Sequence, residues 1–191
     1  MKILGVCGSP RKGGNTDIMI QTAFDVFHEE GIETDYLSLK DNPVKPCTAC
    51  GGCAKNGGVD CVQPDPAFEG IIDRFREADG ILLGSPVYFG SATPEIMSLL
   101  DRVGYVDRSG DHFLRRKVGA SLVVARRAGQ NFTFAQLNYF FLISEMIVPG
   151  STYWNVAFGR GKGEVKDDEE GMDTVKTLAK NMTWLMKKIA D

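Results

Sequence analysis

The chain has 191 residues and a formal net charge of −3, with 43% hydrophobic and 25% charged residues. That length suits one domain with a full core, and the composition is that of an ordinary globular protein. The nearly balanced, slightly acidic charge excludes the basic stripe of a nucleic-acid binder, and no apolar run approaches the about 20 residues of a membrane-spanning helix, so neither nucleic acid nor membrane is expected as a partner. The N-terminal apolar run enters Gly8-Ser9-Pro10 too early to serve as a signal peptide, which gives a cytoplasmic protein as the expectation.

Ile3 to Cys7 is a short apolar run ending at a turn, the mark of a buried strand. Met19, Ala23, Val26 and Phe27 recur at helical spacing, with Gly31 as the stop. Glu33 to Leu39 alternates and reads as the second strand; residues 42–66, rich in Pro, Gly and Cys, read as an excursion without regular structure. Phe68, Ile71, Ile72 and Phe75 form a helical stripe, and Gly80 to Ser85 is the next apolar strand. Ile96, Leu99, Leu100 and Val103 mark a helix, Val118 to Ala125 a strand, and 132–147 a helix apolar almost all round. Ser151 to Val156 is the expected last strand, and Val175 to Ile189 carries a long amphipathic helix. Strand and helix alternate, and the strands are continuously apolar. That combination predicts an α/β fold with a doubly wound, five-stranded parallel sheet and helices on both faces. Ligands of such sheets bind beyond the carboxyl ends of the strands, so the loops there carry the function.

The loop after the first strand, Gly8-Ser9-Pro10-Arg11-Lys12-Gly13-Gly14-Asn15-Thr16, suits a phosphate. It offers hydroxyls, an amide and two cations, with a helix N-terminus behind them. It is neither a Walker loop nor G-x-G-x-x-G; its blander reading is a glycine-rich turn with an N-cap at Asn15 or Thr16. Cys47-x2-Cys50-x2-Cys53-x7-Cys61 is the second signal, with four of the five cysteines inside residues 47–61. In a cytosolic chain such a cluster reads as metal-binding or catalytic before it reads as disulfides. Four thiolates match the four irons of a [4Fe–4S] cluster. A zinc ion on the four cysteines and no bound group are the alternatives, although zinc spacing usually separates two C-x2-C pairs by a dozen or more residues. The fifth, Cys7, reads as a buried strand residue.

Gly8-Ser9-Pro10-Arg11 followed by Gly14-Asn15-Thr16 resembles the FMN phosphate loop of the NAD(P)H-dependent FMN reductases, and more narrowly of the iron–sulfur flavoproteins among them. The resemblance extends over nearly the whole chain and implies a single flavodoxin-like domain, residues 1–191, with a cysteine-rich insertion at about 43–66. It implies that Ser9, Arg11, Asn15 and Thr16 hold the FMN phosphate. It implies further that Pro86, Val87, Tyr88, Phe89, Gly90 and Ser91 run along the flavin and ribityl chain, and that the Arg126–Gly129 loop nears the flavin's pyrimidine end. Either Arg126 or Arg127 could then stabilise a negative charge on the reduced ring. Cys47, Cys50, Cys53 and Cys61 match the family's compact cluster motif, with a longer last interval.

The resulting expectation is an FMN-dependent oxidoreductase passing electrons between FMN and a [4Fe–4S] cluster. NAD(P)H or a ferredoxin-like protein would be the donor and a small molecule the acceptor. The alternatives are an NAD(P)H:FMN or quinone reductase without a cluster, and a non-catalytic FMN-binding sensor or carrier. The resemblance also implies a homodimer or homotetramer. No acid–base residue is assigned. His28 and His112 read as non-catalytic, the Phe132–Phe141 aromatics as core or subunit contacts, and Trp154 as core.

Overall fold

The computed structural model describes residues 1–190. Its elements are β1 (Lys2–Cys7), α1 (Asn15–Glu29), β2 (Glu33–Ser38), α2 (Gly52–Lys55), α3 (Ile71–Glu77), β3 (Gly80–Pro86), α4 (Pro94–Ser109), β4 (Val118–Ala125), α5 (Gln130–Ile143), β5 (Val156–Phe158), a 3-10 turn (Glu164–Asp167) and α6 (Glu169–Ala190). All five strands run parallel in the order β2-β1-β3-β4-β5. The chain winds outward from β1 in both directions, so the switch point falls between β1 and β3, where this topology leaves a crevice.

The three inner strands, β1, β3 and β4, are buried on both sides because helices cover both faces, while the edge strands β2 and β5 are partly exposed. Leu4, Val6, Ile81, Leu83 and Val123 meet α3, α4 and α5 on one side. Ile3, Cys7, Leu82, Leu122 and Val124 meet α1 and α6 on the other. This two-sided burial is why the inner strands are continuously apolar, whereas the edge strand β2 alternates.

Three boundaries differ from the expectation. The last strand is Val156–Phe158 and not Ser151–Val156; it is a short edge strand, paired through Val123, Val124 and Ala125 alone, too brief to leave a periodic pattern. The helix expected at 132–147 is Gln130–Ile143. One turn of helix, α2, interrupts the stretch expected to lack regular structure.

A carboxylate ties helix to sheet on the β2 side. Asp35 of β2 accepts from Arg74 Nε at 2.8 Å and Nη2 at 2.7 Å. The Arg74 hydrogen bond holds its carboxyl below the usual range. A depressed folded pKa contributes stability that is complete above the unfolded value of about 3.9 and is lost as pH falls through the folded one. The melting-temperature difference between the protein and Asp35→Asn therefore shrinks between about pH 5 and pH 3. A difference independent of pH in a thermal scan series would contradict this pairing.

Candidate functional site

The loops after β1, β3, β4 and β5 surround a cavity of about 360 Å³ at the carboxyl end of the sheet, lined by Ser9, Arg11, Asn15, Thr16, Pro86, Val87, Tyr88, Val124, Ala125, Arg126, Gly159 and Arg160. The β1 loop is pinned from within. Arg11 N–H donates to Ser9 Oγ at 3.2 Å, and Gly14 N–H to the Arg11 carbonyl at 3.2 Å. Gly14, rather than Asn15 or Thr16, is the N-cap of α1, and no side chain caps the helix. The first intrahelical bond runs from Ile18 N–H to the Gly14 carbonyl. The N–H groups of Asn15, Thr16 and Asp17 thus have no carbonyl four residues back to donate to. Thr16 Oγ1 is buried and has no hydrogen-bond partner. A buried hydroxyl beside open helix-start amides is a donor set that suits an anionic ligand.

Asn15 acts across the cavity. Its Nδ2 donates to the Gly161 carbonyl at 2.8 Å, and its Oδ1 accepts from Gly163 N–H at 2.8 Å. It thereby fastens the loop after β5 over the loop after β1. That second loop, Gly159-Arg160-Gly161-Lys162-Gly163, lies outside the motifs expected to carry the site, and it brings Arg160 to the cavity wall. Lys162 Nζ stands 3.3 Å from where a Cβ on Gly13 would lie, so a further cation covers the β1 loop. Its signal was readable: small residues alternating with cations directly after the last strand.

The β3 loop divides. Pro86, Val87 and Tyr88 line the cavity, whereas Phe89, Gly90 and Ser91 do not. Tyr88 and Ser91 exchange hydrogen bonds at 2.8 and 3.0 Å across a tight hairpin. Phe89 and Gly90 occupy its centre with φ of 51° and 81°, the mirror-image turn that right-twisted strands favour. The Phe89 ring is fully exposed. A bulky residue at positive φ is an outlier costing roughly 1–2 kcal/mol, tolerated where function fixes the turn. Ser91 faces away and donates to Gln136 Oε1 at 3.0 Å.

The β4 loop settles which arginine faces inward: Arg126 lines the cavity, and Arg127 borders a neighbouring groove with Gly129, Phe132, Tyr153, Trp154 and Phe158. Gly129 lies outside the main cavity but is required next to it. At its φ of 94°, a Cβ would come within 2.9 Å of Val87 Cγ1 and 3.2 Å of Gly90 Cα, so glycine lets the β4 loop press against the β3 loop. Trp154 is 51% exposed in that groove, not core. Phe141 enters the core while Phe132, Tyr139, Leu142 and Ile143 leave an apolar outer face on α5. The two histidines stay outside both cavities: His28 pairs with Thr34 Oγ1 at 2.7 Å, and His112 borders Glu145.

All four clustered cysteines line one cavity of about 140 Å³, with Thr48, Ala49, Gly51, Val62 and Gln63 from their own loop and Arg102, Tyr105 and Val106 from α4. The loop's neck is pinned by Lys45 N–H donating to Asp65 Oδ2 at 2.8 Å and Gln63 Nε2 to the Pro46 carbonyl at 3.2 Å. Gly52 N–H, then Thr48, hold the Cys50 thiol below its usual pKa. Cys7 is separate, buried in β1, and burial pushes its thiol up. Among the described residues no three His, Cys, Asp or Glu groups converge on a single ion. One residue outside the motifs of the sequence stands here: Arg102 falls on the same α4 stripe as the buried Leu99, Val103 and Val106, and it is 1% exposed. A cation on an apolar stripe was the available signal.

Several known proteins resemble this chain. The family model for NADPH-dependent FMN reductase matches residues 1–161. An iron–sulfur flavoprotein of Methanocaldococcus jannaschii is 39% identical over 99% of this chain and 99% of its own. Among solved structures, RosB with bound 8-demethyl-8-formylriboflavin-5'-phosphate superposes with a TM-score of 0.77 at 18% identity, covering all of this chain and 80% of that one. An archaeal flavodoxin matches with a TM-score of 0.65 at 16% identity, covering 98% of this chain and 99% of that one. The fold is accordingly flavodoxin-like, and the chain belongs to the NADPH-dependent FMN reductase family, among its iron–sulfur flavoproteins, as a flavin-dependent oxidoreductase.

Proposed function

We propose that this chain passes electrons between FMN, held at the carboxyl end of the sheet, and a [4Fe–4S] cluster on Cys47, Cys50, Cys53 and Cys61, with NAD(P)H or a ferredoxin-like protein as donor and a small molecule as acceptor. The observation that carries the reading is a pair of distinct cavities on one chain, one furnished for a phosphate and one walled by four thiols. Bound FMN supplies hydride and single-electron chemistry, and a bound cluster supplies single-electron chemistry.

The residues then have separate tasks. Ser9, Thr16 and the open amides of α1 donate to the phosphate, while Arg11 neutralises it with help from Arg160 and Lys162. Asn15 serves indirectly, by holding the β5 loop in place. Pro86, Val87 and Tyr88 line the way toward the ring. Phe89, Gly90 and Ser91 shape the hairpin at its mouth, and Gly129 lets the neighbouring loop close on it. Arg126 places a fixed positive charge where negative charge on a reduced ring is favoured. At the second cavity, thiolates are soft ligands suited to iron–sulfur clusters. Four thiols walling one cavity match the one thiolate per iron of a four-iron cluster.

In this reading residues 43–66 are an insertion in a single flavodoxin-like domain, and the protein works in the cytoplasm, where such thiols stay reduced. The exposed apolar face of α5 supports a homodimer or homotetramer; a monomer on gel filtration would remove that part. Among the described residues no helix is long and apolar enough to cross a membrane.

The testing experiment is a visible spectrum of anaerobically purified protein, with iron and sulfide analysis, before and after NADPH or NADH. Flavin bands over a broad iron–sulfur shoulder, both bleaching, are expected. Flavin bands without iron would leave a plain FMN reductase. Separately, Arg11→Ala weakens FMN binding by about 10- to 150-fold, because a hydrogen bond to a charged group contributes about 1.5–3 kcal/mol. Riboflavin, which lacks the phosphate, keeps its affinity. Fluorescence titration with both ligands checks this, and an equal loss for both would assign Arg11 to the ring instead.

A further inference from the structure

Arg102 is the only Lys or Arg buried among the described residues. Its charge is met by Asp65, which lies at the neck of the cysteine loop and is itself buried. The rest of the guanidinium is nearly accounted for. Nη1 donates to the Asp65 carboxylate and to the Lys45 carbonyl at 3.3 Å, and Nη2 to the Gln63 carbonyl at 3.4 Å. The Phe68 ring covers one face, with its centroid 3.7 Å from Cζ. Of the three guanidinium nitrogens, Nε alone is left without any partner, and it is fully buried. An unmet buried donor costs about 1–3 kcal/mol, more when charged, so native proteins supply an acceptor.

No acceptor of this chain reaches Nε, yet the side chain forms part of the wall of the four-cysteine cavity. The same helix face already offers a second donor to the sulfur set. Arg102, Tyr105, Val106 and Ser109 recur at helical spacing, and Ser109 Oγ stands 3.6 Å from Cys53 Sγ. We infer that Arg102 Nε–H donates a hydrogen bond to a sulfur of the iron–sulfur cluster and thereby raises the cluster's reduction potential. The inference rests on the cluster proposed above. Its physical basis is that an added electron makes the sulfurs more negative, so a buried cationic donor stabilises the reduced form more than the oxidised one.

Arg102→Lys isolates the donor. In lysine a methylene replaces Nε, while the ammonium stays near the position of the guanidinium carbon, where it can still pair with Asp65. The holoprotein and this variant are purified without oxygen and assayed for iron and sulfide. The cluster potential is then read by redox titration followed by electron paramagnetic resonance. The expected result is full iron content in both, with reduction of the variant's cluster disfavoured about tenfold, which for one electron is about 59 mV lower. A second measurement needs no variant. Protein grown on arginine labelled with 15N in the guanidinium is reduced, and pulsed resonance seeks a nitrogen coupling that follows the label. Arg102 is the only arginine lining that cavity. A label-dependent coupling supports the hydrogen bond even if Arg102→Lys fails to hold iron. An unchanged potential in a fully loaded variant, or no labelled coupling in the loaded wild type, overturns it while leaving the cluster in place. Wild-type protein without iron and sulfide overturns the cluster itself and the inference with it.

Discussion

Replacing Arg102 by methionine lowers the melting temperature of the iron-free protein by about 6–20 °C at pH 7. The substitution removes the partner of a carboxylate that is buried at the base of the cysteine loop. Breaking a buried ion pair from one side costs about 3–5 kcal/mol, and in a chain of this size each kcal/mol moves the midpoint by about 2–4 °C. The loss also frees the carbonyls of Lys45 and Gln63, the two ends of the loop that carries the cysteines. Removing both charges is a different matter. Arg102→Met combined with Asp65→Leu leaves no uncompensated charge, and stability recovers in part above that of Arg102→Met, since apolar replacements of buried pairs are often tolerated while the Lys45 N–H bond to Asp65 stays lost. Calorimetry on the three iron-free proteins decides this. Additive losses in the double variant would show that Arg102 and Asp65 do not act as a pair.

On the proposed function, Gly58→Ala abolishes cluster loading of the cysteine cavity while sparing the proposed FMN site. Gly58 has a φ of 72°, and a Cβ there would lie 2.3 Å from Gly110 N and 2.4 Å from Gly110 Cα. Both neighbours are backbone, so no side chain can rotate out of the way. The left-handed conformation adds about 1–2 kcal/mol of strain for a non-glycine residue. Gly58 also receives Arg76 Nη2 on its carbonyl at 3.0 Å and donates its N–H to the Cys53 carbonyl at 2.9 Å. Lifting the loop off the end of α4 therefore drags Cys53 with it. Iron and sulfide content should fall at least about tenfold relative to flavin, with FMN affinity changed by less than about twofold. These bounds follow from a local loss exceeding about 1.4 kcal/mol at one cavity and none at the other. Normal iron content in the variant would mean that the loop does not need its contact with α4.

α4 links the two sites. Its N-terminal end is set beside the cavity at the carboxyl end of the sheet, where Thr93 N–H donates to Ser85 Oγ at 3.1 Å and Thr93 Oγ1 to the Gly8 carbonyl at 2.7 Å. Arg102 lies about 12 Å further along the helix, at about 1.5 Å per residue. A change in Arg102 is thus expected to act on the thiol cavity without touching the loops proposed to receive the phosphate.

Much of this arrangement is written in local sequence. Val118 to Ala125 is a strand with the bounds that its apolar run announces. Ser9, Arg11 and Thr16 meet Pro86, Val87 and Tyr88 because a parallel sheet places the ends of β1 and β3 side by side, and strand order follows from alternating elements. The four cysteines are visible as a group because one short loop carries them all. Other features depend on residues far apart in the chain and leave no periodic trace. Asn15 looks like a phosphate ligand in its loop; only folding brings it to Gly161 and Gly163, 146 and 148 residues away. Nothing in Arg126-Arg127 distinguishes the two until β4 ends and one side chain turns toward the cavity. β5 is three residues long because an edge strand is defined by its pairing partner rather than by its own burial. Sequence alone determined the order of elements, the parallel sheet and the two sets of chemical groups, because these follow from burial periodicity and short-range spacing. Tertiary structure alone decided that Arg102 closes the neck of the cysteine loop with a buried, unpaired Nε and that its side chain helps to wall the thiol cavity, because a buried charge is defined by what surrounds it.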